Sequence, residues 1–215
     1  MLKAVLFDLD GTLLDTLPDI QAIINQTLET FSYPVISTQQ TREYIGEGAF
    51  RLVERSLPAE ASNVQACFQC FSQIYAASKN EHTRLFDGAK ELLSWLKARG
   101  VKVGVVSNKP QDAVENCLAQ FFPDFSFDFV GGDSGLFPCK PDPTLARYAA
   151  LTMRVAPAEC AFVGDGETDV RTAINANMFG VAVLWGYRDR SRLEKEGAKV
   201  FANDFNELKK ILENY

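Results

Sequence analysis

The sequence predicts an α/β protein, a doubly wound parallel sheet with an all-helical block inserted after its first strand. Three observations carry this expectation. Short apolar runs alternate with helical patterns through the second half of the chain. The first such run is followed by about sixty residues in which only helical periodicity is visible. Aspartate, serine and asparagine fall at the ends of the apolar runs, where an open parallel sheet gathers its ligand site.

Lys3 to Leu9 is a continuous run of strand formers, the pattern of a parallel strand covered on both faces, and it runs into Asp8, Asp10 and Gly11. From about Pro18 to about Asn80 the pattern is helical. Ser37 and Gln40 are spaced as a capping box, and Val64, Phe68, Phe71 and Ile74 follow helical spacing. After Asp87 a helix carrying Leu92, Leu93 and Leu96 stops at Gly100, and KVGVVSN then reads as a buried strand. FDFVGGD, CAFVGDG and GVAVLWG each follow a helical stretch, while KVFAND gives a shorter strand before a closing helix to Leu212. Right-handed crossovers between these strands collect Asp8, Asp10, Ser107, Asn108, Asp133, Gly164 and Asp165 at one sheet end. The expected division is a core of residues 1–15 and 82–215 and a helical cap of residues 16–81, lying over the pocket as a lid.

The bulk properties narrow the function. At 215 residues the chain can bury one large core or a core with a smaller companion, and 47% hydrophobic with 23% charged residues is ordinary for a soluble globular protein. A formal net charge of −6 argues against nucleic acid as a partner. No apolar run reaches membrane-spanning length, and MLKAVLFDLDG breaks too early for a signal peptide, so a cytoplasmic location is expected. Five scattered cysteines read as reduced thiols. Cys67 and Cys70 share a helix face with Phe71 and Ile74, which makes them core residues rather than half of a zinc site. The single histidine, His82, lies in the polar stretch KNEHT, so chemistry must come from carboxylates, lysine and hydroxyls.

Asp8-Leu9-Asp10-Gly11-Thr12 is the sharpest signal. Four fixed residues at roughly one in twenty each arise by chance about once in several hundred chains of this length. Residues two apart on a strand project to one side, so Asp8 and Asp10 crowd two carboxylates. A carboxylate can attack phosphorus and form an acyl-phosphate that water then opens, which gives Asp8 the role of nucleophile. Its charge repels a phosphate unless a hard divalent cation bridges the two, and magnesium suits oxygen ligands, with Asp165 as a further ligand. Asp10 can protonate the leaving alkoxide and later accept a proton from water. Gly11 allows close approach of backbone N–H groups to the phosphate, and Thr12 adds a small donor. Ser107 and Asn108 can hydrogen-bond phosphoryl oxygens. Prolines on either side of Lys140, in FPCKPDP, stiffen a loop that aims its ammonium inward. In GDGETD, Asp169 is either a second metal ligand or an orienting partner of the first.

Together DLDGT, SN, KP and GDGETD resemble the haloacid dehalogenase superfamily of phosphatases over nearly the whole chain, including the helical cap. The resemblance implies a Rossmann-like core, with Asp8 as nucleophile and Asp10 as the acid/base that also offers its backbone carbonyl to magnesium. It further implies Asp165 as a magnesium ligand supported by Asp169, with Ser107 and Lys140 holding the phosphoryl group. An acid at Asp10 fits ester hydrolysis, because an alkoxide needs a proton and a halide does not. YIGEGAFRLVERSL, GGDSG and AVLWGY are similar to the phosphoglycolate phosphatase branch, which also includes enzymes acting on pyrophosphate and sugar phosphates. Asp142 stands where a histidine is more usual, and Asn177 where glycine is.

A small phosphorylated metabolite, first of all 2-phosphoglycolate, is therefore the expected partner. Glu47 and Arg51 lie in the block that would face its leaving group, and Arg51 is the candidate for a substrate carboxylate. A phosphoacceptor signalling module uses a similar acidic cluster, but carries its acceptor on the third strand and has no cap.

Overall fold

The computed structural model describes residues 1–215. Six parallel strands form the sheet: β1 (Ala4–Phe7), β4 (Lys102–Pro110), β5 (Phe129–Asp133), β6 (Cys160–Gly164), β7 (Phe179–Val183) and β8 (Phe201–Ala202), in the order β5-β4-β1-β6-β7-β8. β1 is central, pairing Ala4 to Phe7 with Lys102 to Val105 on one side and with Cys160 to Val163 on the other. All four of its side chains are fully buried, as a strand covered on both faces requires.

Helices cover both faces. One core layer joins Val5, Phe7, Val103 and Val105 to Leu92, Leu93 and Leu96 of α5 (Ala89–Ala98), with Leu208 and Leu212 of α10 (Phe205–Glu213). The other joins Leu6 and Phe162 to alanines of α7 (Thr144–Thr152) and α8 (Glu167–Ala176). The expected helix ends hold. Gly100 sits at φ 71° after α5, and Asn177, at φ 59°, takes the left-handed position that closes α8.

Four helices stand between the first two sheet strands: α1 (Leu17–Thr30), α2 (Thr38–Tyr44), α3 (Ala49–Ser56) and α4 (Val64–Ala77). Ser37 and Gln40 form the capping box of α2. Ile20, Ile24, Leu52, Val53, Cys67 and Phe71 make their own core, Cys67 buried among them, and all five cysteines are free thiols. No strong strand is expected between Pro18 and Asn80, and none occurs there; just outside it, β2 (Leu14–Asp15) and β3 (Arg84–Leu85), which the sequence did not signal, pair antiparallel where the chain enters and leaves the block. Two residues per strand are too few to carry a period. Asp19 closes the same point, its carboxylate accepting the Thr83 N–H at 2.6 Å and the Thr83 hydroxyl at 2.6 Å. No helix is long and apolar enough to cross a membrane.

Candidate active site

At the carboxyl ends of β1, β4 and β6 the sheet opens into a cavity of about 320 Å³, roofed by residues of α3 and α4. Asp8 and Asp10 reach it from the segment that follows β1, Ser107 and Lys109 from β4, Asp165 from the turn after β6 and Asp169 from the first turn of α8. One carboxylate oxygen from each of Asp8, Asp165 and Asp169 lies within 4.8 Å of the other two, and all three residues are buried.

Packing fixes each of them. Asp165 accepts the Thr12 hydroxyl at 3.0 Å and the Tyr187 N–H at 2.7 Å. A Cβ on Gly11, which sits at φ +82°, would come within 2.4 Å of the Asp165 carboxylate, so the glycine is needed both for its backbone and for this space. Asp169 accepts the Gly166 N–H at 2.9 Å and the Lys140 ammonium at 2.7 Å. Lys140 also faces Asp8 Oδ1 at 2.8 Å, but off the hydrogen-bonding axis, which leaves that buried oxygen without an aligned donor.

Burial and repulsion from Asp169, only partly offset by Lys140, push the Asp8 carboxyl up to about 6. Burial, then Asp169 and Asp8, push Asp165 up to about 7 against the hydrogen bonds from Tyr187 and Thr12. Burial alone would lower Lys140, but Asp169 and Asp8 outweigh it and hold its ammonium charged well above its ordinary range. Three buried carboxylates, one cation and an oxygen lacking an aligned donor fit a hard divalent cation.

A stability prediction follows from these two carboxyls. Both hold protons more tightly folded than unfolded, so their contribution is full below about pH 4 and is lost as pH rises through about 6 and 7. Carboxyls held low by hydrogen bonds and ion pairs, Glu167 and Glu207 among them, act mainly below about pH 5. In chelator, the melting temperature should therefore fall between about pH 5 and 7. Thermal melts of Asp165→Asn beside the parent check this, because the variant should lose much of that slope; an unchanged slope would refute it.

Several expected site residues sit differently. The Asp10 carboxylate does not join the acidic group, because it turns toward the Thr16 hydroxyl and the Lys109 ammonium, each 2.7 Å from Oδ1. Crowding on a strand therefore does not occur: β1 ends at Phe7 and both aspartates lie beyond it. The Thr12 hydroxyl is spent on Asp165, and the Gly11 N–H donates to Leu14 O at 2.8 Å, so neither is directed at a phosphate. The Asn108 amide is likewise committed, joining Gly46 O, Lys140 O and Lys140 N and so tying the helical block to the lysine loop. Asp133 is exposed and caps its own turn through the Gly135 N–H, outside the cavity. Arg51 does line the cavity but is exposed, paired with Glu54 at 2.5 Å, while Glu47 pairs with Arg55. Ser107 is buried, its Oγ accepting the Lys109 N–H at 3.3 Å.

Sequence reasoning missed Lys109, Thr16, Tyr187 and Arg188. Tyr187 accepts the Thr16 and Leu17 N–H groups on its hydroxyl, and Arg188 donates to Ile45 O at 2.6 Å and to Glu167 at 2.7 Å. Arg42 returns the contact, donating to Gly186 O and Tyr187 O. The one signal available was position: Lys109 directly follows the Ser-Asn pair, and Tyr187 closes AVLWGY.

Residues 5–183 match the family model for haloacid dehalogenase-like hydrolases. The chain is 36% identical over 188 residues to a phosphoglycolate phosphatase of Xanthomonas campestris pv. campestris, covering 86% of this chain and 85% of that one. It is 29% identical over 222 residues to a phosphoglycolate phosphatase of Vibrio parahaemolyticus, covering 98% and 96%. A crystal structure of a predicted phosphoglycolate phosphatase from Haemophilus somnus superposes with a TM-score of 0.89 at 29% identity, over 98% of this chain and 97% of the other.

Proposed function

Because the chain belongs to the haloacid dehalogenase-like hydrolases and is a phosphoric monoester hydrolase of that family, we propose that it dephosphorylates 2-phosphoglycolate by way of a phosphorylated Asp8. The observation that carries the chemistry is the buried Asp8 carboxylate facing Lys140 inside an acidic group at the strand ends. In this reading residues 1–15 and 82–215 form the catalytic core and 16–81 the cap.

Asp8 attacks phosphorus, and the bond from phosphorus to the leaving oxygen breaks. Asp10 gives that oxygen its proton, then takes one from the water that opens the aspartyl-phosphate. Lys140 and the Ser107 hydroxyl, whose own proton is not committed to a protein acceptor, hold phosphoryl oxygens. Asp8 and Asp165 would hold magnesium, with the Asp10 backbone carbonyl as a further ligand. Asp169, already engaged by Lys140 and Gly166, orients that lysine and supports the site. Bound there, magnesium supplies the positive charge that lets a carboxylate approach a phosphate.

The core groups recognise only the phosphoryl group, so residues of the roof choose the rest of the substrate. Arg51, on the cavity wall, offers a two-bond fork to the glycolate carboxylate once its exposed pair with Glu54 opens. Arg51→Ala should lower kcat/KM for phosphoglycolate by about tenfold or more and for p-nitrophenyl phosphate by less than about threefold. A substrate panel decides the assignment. Phosphoglycolate among its poorest members, or pyrophosphate or a sugar phosphate at its head, would overturn it, and equal losses on both esters would remove Arg51 from recognition.

A further inference from the structure

Lys109 is the penultimate residue of β4, two residues after Ser107, and its side chain is 3% exposed. Its ammonium lies 2.7 Å from Asp10 Oδ1, and the Thr16 hydroxyl donates to that same oxygen at 2.7 Å. Asp10 Oδ2 accepts no hydrogen bond from the protein and is not sealed among the buried unpartnered atoms. From the roof, the Tyr75 ring of α4 lies over the ammonium at 5.1 Å from its centroid and shields it from water.

We propose that Lys109 is a positioning residue for Asp10, anchoring one carboxylate oxygen together with Thr16 so that the other is presented to the leaving group. The role follows from the division of labour between the two oxygens. An aspartate has two torsions, and two donors on one oxygen, one of them charged, fix both. The second oxygen is then free to carry the proton. As the phosphorus–oxygen bond to the leaving group breaks, its electron pair stays on the leaving oxygen and the proton of Asp10 Oδ2 passes to it. Attack by water returns a proton to Oδ2, and Lys109 keeps all three of its own. Pre-set direction of this kind matters because proton transfer needs a donor and acceptor in line at hydrogen-bond distance.

The proposal rests on Asp10 as acid/base, and its test separates the two. Single-turnover rates and steady-state constants are measured on p-nitrophenyl phosphate and on an alkyl ester, 2-phosphoglycolate, for Asp10→Asn, Lys109→Met and the double variant, with circular dichroism checking the fold. Asp10→Asn should slow phosphorylation by the alkyl ester far more than by the aryl ester, whose leaving group needs less protonation. Lys109→Met should show the same preference in milder form, about tenfold between esters, with KM changing less than about threefold. The double variant should be no slower than Asp10→Asn alone, since a residue acting through Asp10 has nothing left to position. Lys109→Arg should recover part of the alkyl rate. Should Lys109→Met not fold, Lys109→Gln is read in the same way. Equal losses on both esters, multiplying losses in the double variant or a loss confined to KM would overturn the proposal while leaving Asp10 in place. No preference in Asp10→Asn itself would overturn both.

Discussion

Asp8→Asn is expected to lower turnover of every phosphate ester by about 10⁴-fold or more, because an amide of nearly the same shape is a far weaker nucleophile. The fold should survive the change and gain in chelator. Asp8 contributes a buried carboxylate with a carboxyl pushed up to about 6 by burial and by Asp169, so removing its charge relieves repulsion in the metal-free protein. Only one contact is lost, the off-axis pair with Lys140, and Lys140 retains its hydrogen bond to Asp169. Activity assays with thermal melts check both halves. Turnover within tenfold of the parent, once reversion of asparagine to aspartate is excluded by mass spectrometry, would move the nucleophile elsewhere.

Chelation is the second large effect. With a single lysine among Asp8, Asp165 and Asp169, the site cannot also accept a phosphate dianion without further positive charge. Excess chelator should cost about 10³-fold or more in kcat/KM, the order expected when several kcal/mol of charge stabilisation are withdrawn, and magnesium should restore it. A readout independent of activity comes from binding linkage: magnesium should raise the melting temperature of the parent, and of Asp165→Asn much less. Full activity in chelator would remove the metal from the mechanism. A magnesium shift of equal size in both proteins would take Asp165 out of the ligand set.

Much of this was legible in sequence because the signals are local. The buried run ending at Asp8, the alternation after Asp87, the Ser37–Gln40 box and the left-handed Asn177 each depend on neighbours a few residues away, where periodicity and capping are dictated by backbone geometry. The gathering of Asp8, Asp10, Ser107, Asn108 and Asp165 at the cavity also followed, since a parallel sheet brings the carboxyl ends of its strands to one edge, whereas Asp133, expected with them, stays outside. The type of each side chain and its strand were written in the chain. Its hydrogen-bond partner was not.

That second part belongs to tertiary structure. Thr12 and Asn108 have the right chemistry for a phosphate, yet Asp165 and the Gly46 and Lys140 backbone consume it, because buried polar groups must find partners in whatever packs against them. Asp10 was expected beside Asp8 from the two-residue period of a strand, but the chain turns after Phe7 and hands its carboxylate to Lys109, 99 residues away. Lys109, Tyr187 and Arg188 carry no local signal of burial in sequence, and all three are buried where they meet residues of the helical block, Tyr75, Ile20 and Ile45 among them. The chain by itself determined the fold and the chemical groups delivered to the site. Only packing decided which of those groups remain free to meet a substrate, because that depends on hydrogen bonds between segments 32 to 153 residues apart.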